Sequence, residues 1–393
     1  MSQDDSINLA LWPKEPDNSL LALAFTPRRT ALILGGLITL AFFNVLFGGQ
    51  SFSYRDFGVL GYPTAYYYKL CFWRGEIPLW NPLSNCGAPF LAQWGTMVLY
   101  PFSLIYVLLP MPWSLNFFCL AHLFLGGMGV YFLLRRWTNH SYAACFGAVA
   151  FVFNGLTLSC LNWPNYTVAI GWLPWVLYFV EAASTGPGII VAALVSALQI
   201  LAGAPELCLL TWALVLGIGI LRVRPGGDSP IRWKAFFQEK GSVIAITSGL
   251  VLAQILPFLE LLLHSQRTIA TATSKWSLPP WGLGNLLVPL LHCFKTSEGT
   301  FYQYGQEFLS SCYVGGTLLV LAVVGTHAVK HRVIRFLAAA AIVAAVLALG
   351  EKGFVYQLCL KWIPMMGFAR YPIKFLLILC FLIPVVAGCG LAA

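Results

Sequence analysis

Apolar runs of roughly 17 to 22 residues, with a few shorter, recur near 30–47, 115–134, 142–161, 168–183, 189–202, 207–221, 242–263, 310–329, 334–349 and 375–393. A helix needs about twenty apolar residues to cross ~30 Å of hydrocarbon. In lipid it is also one of only two structures that satisfy every backbone N–H and C=O. The pattern predicts an all-α, polytopic transmembrane helix bundle of about ten spans. Composition closes the alternatives: 59% of the 393 residues are hydrophobic and only 9% charged, against roughly a quarter charged in ordinary soluble domains. That excludes a soluble enzyme. Low charge with 15% aromatics is also the reverse of the disorder signature. The eleven cysteines include no CxxC pair and lie mostly inside apolar runs, as small core residues do.

Basic residues set the expected orientation, because cations accumulate in short cytoplasmic loops. With the N-terminus inside, alternate connections carry Arg135 and Arg136, then Arg222, Arg224, Arg232, Lys234 and Lys240, then Lys330, Arg332 and Arg335. With Lys14, Arg28 and Arg29 these make thirteen cations, and the other ten are spread over longer loops. A cytoplasmic N-terminal tail (1–29) and one integral membrane domain (30–393) are therefore expected. The polar tail and the lack of a small-residue cleavage site mark the first run as an anchor, not a signal peptide. The formal charge of +9 suits anionic head groups of membrane lipids. Nucleic-acid binding is not expected, since the cations are scattered and not clustered on one surface.

Three outer loops stand out, at about 48–113, 265–308 and 351–374. The first is crowded with Tyr54, Tyr62, Tyr66, Tyr67, Trp73, Trp80 and Trp94. Such rings favour the membrane–water interface, so amphipathic or re-entrant pieces are expected there. The remaining acids gather on this side. Asp56 follows the first run in Ser53-Tyr54-Arg55-Asp56-Phe57. A carboxylate held at the surface among aromatics can be a general base or a ligand for a divalent metal ion, or a solvated acid paired with Arg55. Glu206, in Gly203-Ala204-Pro205-Glu206, is a turn acid or lines a cavity. Glu260, His264 and Arg267 are spaced i, i+4, i+7 and share one helical face, fit for a phosphate-sugar head group or for mutual neutralisation. Arg370 and Lys374 bracket Tyr371-Pro372 before the last run, as phosphate ligands or as membrane anchors. Glu181 is expected to be solvated, and His122 to be a satisfied core histidine.

The sequence contains no GxxxxGK[ST], GxSxG or HExxH, and no dinucleotide GxGxxG after a strand. Gly126-Gly127-Met128-Gly129 sits within an apolar run, where small residues let helices approach closely.

One stretch is more specific. Tyr54-Arg55-Asp56, then Gly75-Glu76-Ile77-Pro78-Leu79-Trp80-Asn81-Pro82, Gly87-Ala88-Pro89-Phe90 and Leu99-Tyr100-Pro101, resemble the first outer loop of the bacterial YfhO-type membrane proteins, glycosyltransferases of the GT-C superfamily. Further similarity falls in order at Gly203-Ala204-Pro205-Glu206, Gln254-Ile255-Leu256-Pro257, Ser277-Leu278-Pro279-Pro280 and Gly367-Phe368-Ala369-Arg370-Tyr371-Pro372. The resemblance implies a GT-C-like multi-pass protein of the bacterial cytoplasmic (inner) membrane. It would transfer a sugar from a polyprenyl-phosphate donor to a cell-envelope acceptor on the extracytoplasmic face. A first-loop acid carries catalysis in that superfamily, and by position it maps to Asp56. Glu76, Trp80, Asn81, Gln93, Glu260, His264, Arg267, Arg370 and Lys374 are then candidate substrate-binding residues. The resemblance fixes no cofactor, with a divalent metal ion at Asp56 as the one candidate. The chain departs from the family at Ala204-Pro205-Glu206, where His-Pro-Gln is usual, leaving Glu206 a second acid or a turn residue. Family members continue through further spans, so a truncated C-terminal end is expected at Ala393. Two other readings stay open: a transporter or flippase for a lipid-linked substrate, and a non-catalytic subunit of a membrane partner protein.

Overall fold

A computed structural model describes residues 24–223, 233–265, 276–362 and 370–393. Each of the ten apolar runs carries helix, and sheet is confined to two small hairpins among the described residues. The principal helices are α1 (Pro27–Ala41), α2 (Tyr62–Trp73), α3 (Trp113–Thr138), α4 (Ser141–Phe153), α5 (Pro164–Ala182), α6 (Gly186–Leu201), α7 (Pro205–Val223) and α8 (Trp233–His264). They continue as α9 (Gly316–Ala328), α10 (Arg332–Ala348), α11 (Phe354–Trp362) and α12 (Leu379–Ala392).

Five described segments are long and apolar enough to cross a membrane: Trp113–Thr138, Ser141–Asn162, Pro205–Val223, Trp233–His264 and Pro372–Ala392. Helix α5 has the length but not the hydropathy, because Asn165, Tyr166, Trp172, Pro174, Trp175 and Tyr178 dilute its aliphatic residues. Helices α6 and α9 are apolar but shorter. The first run breaks at Phe42 and resumes as a single turn, Phe43–Leu46.

Local chemistry sets the helix ends. Pro27 opens α1, with Thr26 accepting from the Arg29 N–H. Helix α3 closes on Asn139 in the left-handed region, with Arg135 and Arg136 in its last turn, where cations suit the negative end of the dipole. At the start of α10, His331 Nδ1 accepts the Val333 N–H at 3.2 Å. Burial, then the charges of Arg222 and Arg332, hold this imidazole below its ordinary range. Protonation would remove the acceptor and put a positive charge at a helix N-terminus. The folded pKa is below the unfolded one, so the contribution is complete above pH ~6.5 and is lost as pH falls below it. Thermal unfolding in detergent is expected to show this as a drop in Tm between about pH 7.5 and 5.5 that shrinks in His331→Asn, which keeps an acceptor without titrating.

The core lies where α3, α4, α5 and α12 meet. A side chain at Gly126 would collide with Phe151 and with the backbone of Gly171, and one at Gly129 with Pro174 and Trp175. The glycines of α3 thus let its backbone approach α4 and α5, as the small-residue run implies. His122 is satisfied here: Nδ1 donates to the Phe118 carbonyl at 2.7 Å, Nε2 accepts from Tyr100 at 2.6 Å, and Tyr100 accepts from Trp172 at 2.7 Å. Helix α8 lies at the periphery, with only 22% of its apolar window buried against 78% for Pro372–Ala392.

Two polar clusters mark the ends of the bundle. At one end Glu181 is only 7% exposed, ion-paired with Arg222 and accepting the Trp137 indole N–H at 2.8 Å. It is buried and partnered, not solvated as the sequence suggests. Lys240 donates to the Val180 carbonyl at 2.6 Å beside it, and the Arg136 guanidinium lies 3.2 Å from the Tyr178 ring centre. Helix α5 joins this cluster to the other, running from Trp163–Pro164 to Glu181. Its nineteen residues span about 28 Å.

Candidate functional site

The second cluster forms where the loops at the other end of α5 converge. Asp56 immediately precedes a π-helical turn (Phe57–Gly61) that leads into α2, and its side chain makes no capping bond there. Its Oδ2 accepts the Trp163 Nε1–H at 2.5 Å, across 107 residues of sequence. The break Asn162-Trp163-Pro164 between α4 and α5 places that indole, because Pro164 starts α5 and leaves Trp163 extended. Trp163 in turn stacks on Phe308 at 4.3 Å between centroids and 17° between planes.

Arg55 does not neutralise Asp56 by a direct ion pair; its guanidinium donates elsewhere. It sits in the left-handed region at φ +46° and donates to Tyr302 Oη at 3.1 Å and to the Glu307 carbonyl. Its guanidinium also lies 5.4 Å from the Tyr302 ring centre and 5.9 Å from that of Trp276. Tyr302 in turn donates to the Tyr54 hydroxyl at 3.1 Å. Burial, helped by the Tyr54 contact, pushes the Tyr302 phenol up, so it remains a donor. The loops at 48–113 and 265–308 are tied together here. A non-glycine residue in this backbone region next to a candidate catalytic group is strain of the kind that accumulates at functional sites.

Glu206 and Lys374 form an ion pair across 168 residues, with side chains 12% and 11% exposed. Glu206 lies in the first turn of α7, and Lys374 in the 3-10 turn Pro372–Ile378 that leads into α12. The ammonium is 5.6 Å from the ring centres of Tyr166, Phe308 and Tyr371. The Trp163–Phe308 stack therefore has the Asp56 carboxylate bonded to one member and the Lys374 ammonium over the other. Arg370, exposed and at φ +57°, holds its guanidinium 5.1 Å from the Tyr371 ring.

Gly203 makes the turn before Glu206. Its φ is +81°, and a side chain there would collide with the Trp94 carbonyl. Trp94 Nε1 donates to the Ile200 carbonyl at 2.7 Å, and Asn165 donates to the Gly203 carbonyl at 2.9 Å. The loop at 48–113 is thereby fastened to the turn that carries Glu206.

Other candidates have local partners. Trp80 and Asn81 form β1 (Trp80–Asn81), paired antiparallel with β2 (Ala88–Pro89). The Asn81 amide oxygen accepts from the Leu83 N–H at 2.9 Å, and Gln93 donates to the Pro89 carbonyl at 2.7 Å. Glu76 and Trp80 are exposed beside Ile77, Leu79 and Leu83 on an apolar, outward-facing hairpin. Glu260 and His264 are both exposed near the end of α8, and the imidazole Nδ1 bonds the Glu260 backbone carbonyl at 2.9 Å, not its carboxylate. Arg267 lies outside the described residues, as do Lys14, Arg224 and Arg232.

Among the described residues no three His, Cys, Asp or Glu side chains come together. Around Asp56 the neighbours are an indole N–H, a guanidinium and aromatic rings. At this spot the Asp56 carboxylate is the group that could ligate a hard divalent cation, whose other oxygen ligands would come from substrate phosphate and water. The eleven cysteines are free thiols.

Compared with protein-family models, curated proteins and solved structures, the chain matches none.

Proposed function

We propose that the chain is a multi-pass, GT-C-like membrane glycosyltransferase, with about ten spans and a cytoplasmic N-terminus. It moves a sugar from a polyprenyl-phosphate donor to a cell-envelope acceptor on the extracytoplasmic face. The observation that carries this reading is the convergence of Asp56 and Lys374 on the Trp163–Phe308 stack, at the end of the bundle where the long loops meet. A lipid-linked donor keeps its tail in hydrocarbon while its phosphate and sugar stay at the interface. It needs a cation for the phosphate, flat faces for the sugar and a base for the acceptor. Lys374 and Arg370 supply the first, Trp163, Phe308 and Tyr371 the second, and Asp56 the third.

In the reaction, the acceptor hydroxyl proton passes to Asp56 as its oxygen attacks the anomeric carbon. The bond from that carbon to the phosphate oxygen breaks, and the phosphate leaves with the electron pair. Lys374 stabilises the developing charge, and a charge-assisted hydrogen bond in a partly dry site serves that purpose well. The lipid phosphate is already a leaving group, so no nucleotide need be bound, in keeping with the missing nucleotide motifs.

The direct test is sugar transfer from a radiolabelled polyprenyl-phosphate sugar in membranes holding this chain, beside membranes without it. Chain-dependent label in an envelope acceptor is the expected result. Label that crosses sealed vesicles chemically unchanged would replace this reading with a flippase. Neither transfer nor transport, with intact protein present, would leave a subunit of a larger membrane assembly.

A further inference from the structure

Lys374 already has a counter-anion. Glu206 pairs with its ammonium inside a wall of three aromatic rings, and both side chains are close to nine-tenths buried. The single charge of Lys374 is already matched, so a second anion meets the repulsion of Glu206 unless the first gives way. We propose that Glu206 is an internal stand-in for the substrate's phosphate, which displaces it from Lys374 on binding. This deepens the function proposed above and rests on it.

Three features support exchange over a fixed strut. A carboxylate and a phosphate present the same groups to an ammonium, oxyanions accepting charge-assisted hydrogen bonds. The desolvation that normally opposes anion binding at a lysine is largely complete before the substrate arrives, because the rings already exclude water. A released Glu206 also has somewhere to go: it stands in the first turn of α7, where the unpaired amides of a helix N-terminus favour a carboxylate. Asp56 lies across the Trp163–Phe308 stack from this exchange, so the arriving phosphate brings its sugar toward the base. In this arrangement Glu206 sets a threshold. A strongly charged lipid phosphate, anchored in the membrane by its tail, displaces it; free inorganic phosphate does not.

The experiment is equilibrium binding to the purified full chain in detergent, with a polyprenyl monophosphate in one arm and inorganic phosphate in the other. In Glu206→Gln the lipid phosphate is expected to bind at least about fivefold tighter, the lower end of ordinary coupling between competing ligands. Inorganic phosphate is expected to bind measurably only in that variant. The double variant E206Q/K374Q removes both charges, leaves neither unpaired, and is expected to lose the gain. Should E206Q fail to accumulate, Glu206→Asp, one methylene too short to hold the pair, is expected to tighten binding in the same direction. Unchanged or weaker lipid binding in E206Q or E206D of undiminished thermal stability would overturn the proposal. So would a double variant that binds as tightly as E206Q, or wild-type protein that binds inorganic phosphate as tightly as the lipid. No arm needs turnover. Absent transfer with this binding pattern would sink the enzyme reading alone, and flat binding with transfer would sink the role of Glu206 alone.

Discussion

Asp56→Asn is expected to lower sugar transfer by about 10²- to 10⁴-fold, the usual contribution of a positioned general base, while the protein accumulates in membranes as before. Asparagine keeps an oxygen that can accept the Trp163 indole N–H, so the loop should hold its place and only the basicity is lost. That makes the substitution informative about chemistry and not about folding. Trp163→Phe is its companion. It removes the N–H that orients the carboxylate but keeps a ring to stack on Phe308. Its expected cost is about ten- to a hundredfold in kcat, because a misplaced group still has its chemistry but a poorer geometry. KM for the donor should change little, since phenylalanine keeps a flat face for the sugar and the phosphate contacts are elsewhere. Initial rates over a range of donor concentrations separate the two. If Asp56→Asn kept full activity, or lost no more than Trp163→Phe, Asp56 would not be the base.

The helices were readable from the sequence because each apolar run is long enough to demand one, whatever its neighbours. Their unequal lengths were not: α5 is as long as α7, yet its Trp, Tyr and Pro residues face helices and loops that the run itself does not name. Asp56 was readable as a candidate because an acid among aromatics after a membrane run is unusual. Its partner was not, since Trp163 lies 107 residues away and comes near only when α5 returns to that end of the bundle. The available signal was local: Asn162-Trp163-Pro164 is a break between two apolar runs, and a Trp held extended before a helix-starting proline has its indole free to reach outward. Glu206 and Lys374 were each visible and each ambiguous. Only the fold turns a turn acid and an anchoring cation into a pair, because it packs the 3-10 turn before α12 against the first turn of α7. The Glu260–His264 stripe shows the converse, since correct helical spacing brought the two together without bringing them to the site.

The largest expected effect on stability belongs to the opposite end of α7. Glu181→Ala is expected to destabilise the protein by about 3–5 kcal/mol, the usual result of removing one partner from a buried ion pair. Glu181 is the more buried member, and it serves three neighbours: it pairs with Arg222, accepts from Trp137 and is a counter-charge for Lys240. Alanine would take this carboxylate from Arg222 and from the surroundings of Lys240, which Glu239 still pairs at 3.7 Å, and would leave a buried indole N–H lacking its acceptor. Glutamine keeps that acceptor and should cost less, which separates the charge from the hydrogen bond. The double variant E181M/R222M then decides what the pair contributes. Two apolar side chains of similar volume in place of a buried pair are often neutral or better, so thermal unfolding in detergent should recover most of the loss. If E181M/R222M were as unstable as Glu181→Ala, the missing term would be the bond to Trp137, not the ion pair. Recovery would instead mean that Glu181 mainly offsets the charge of Arg222, which α7 carries at one end just as it carries Glu206 at the other.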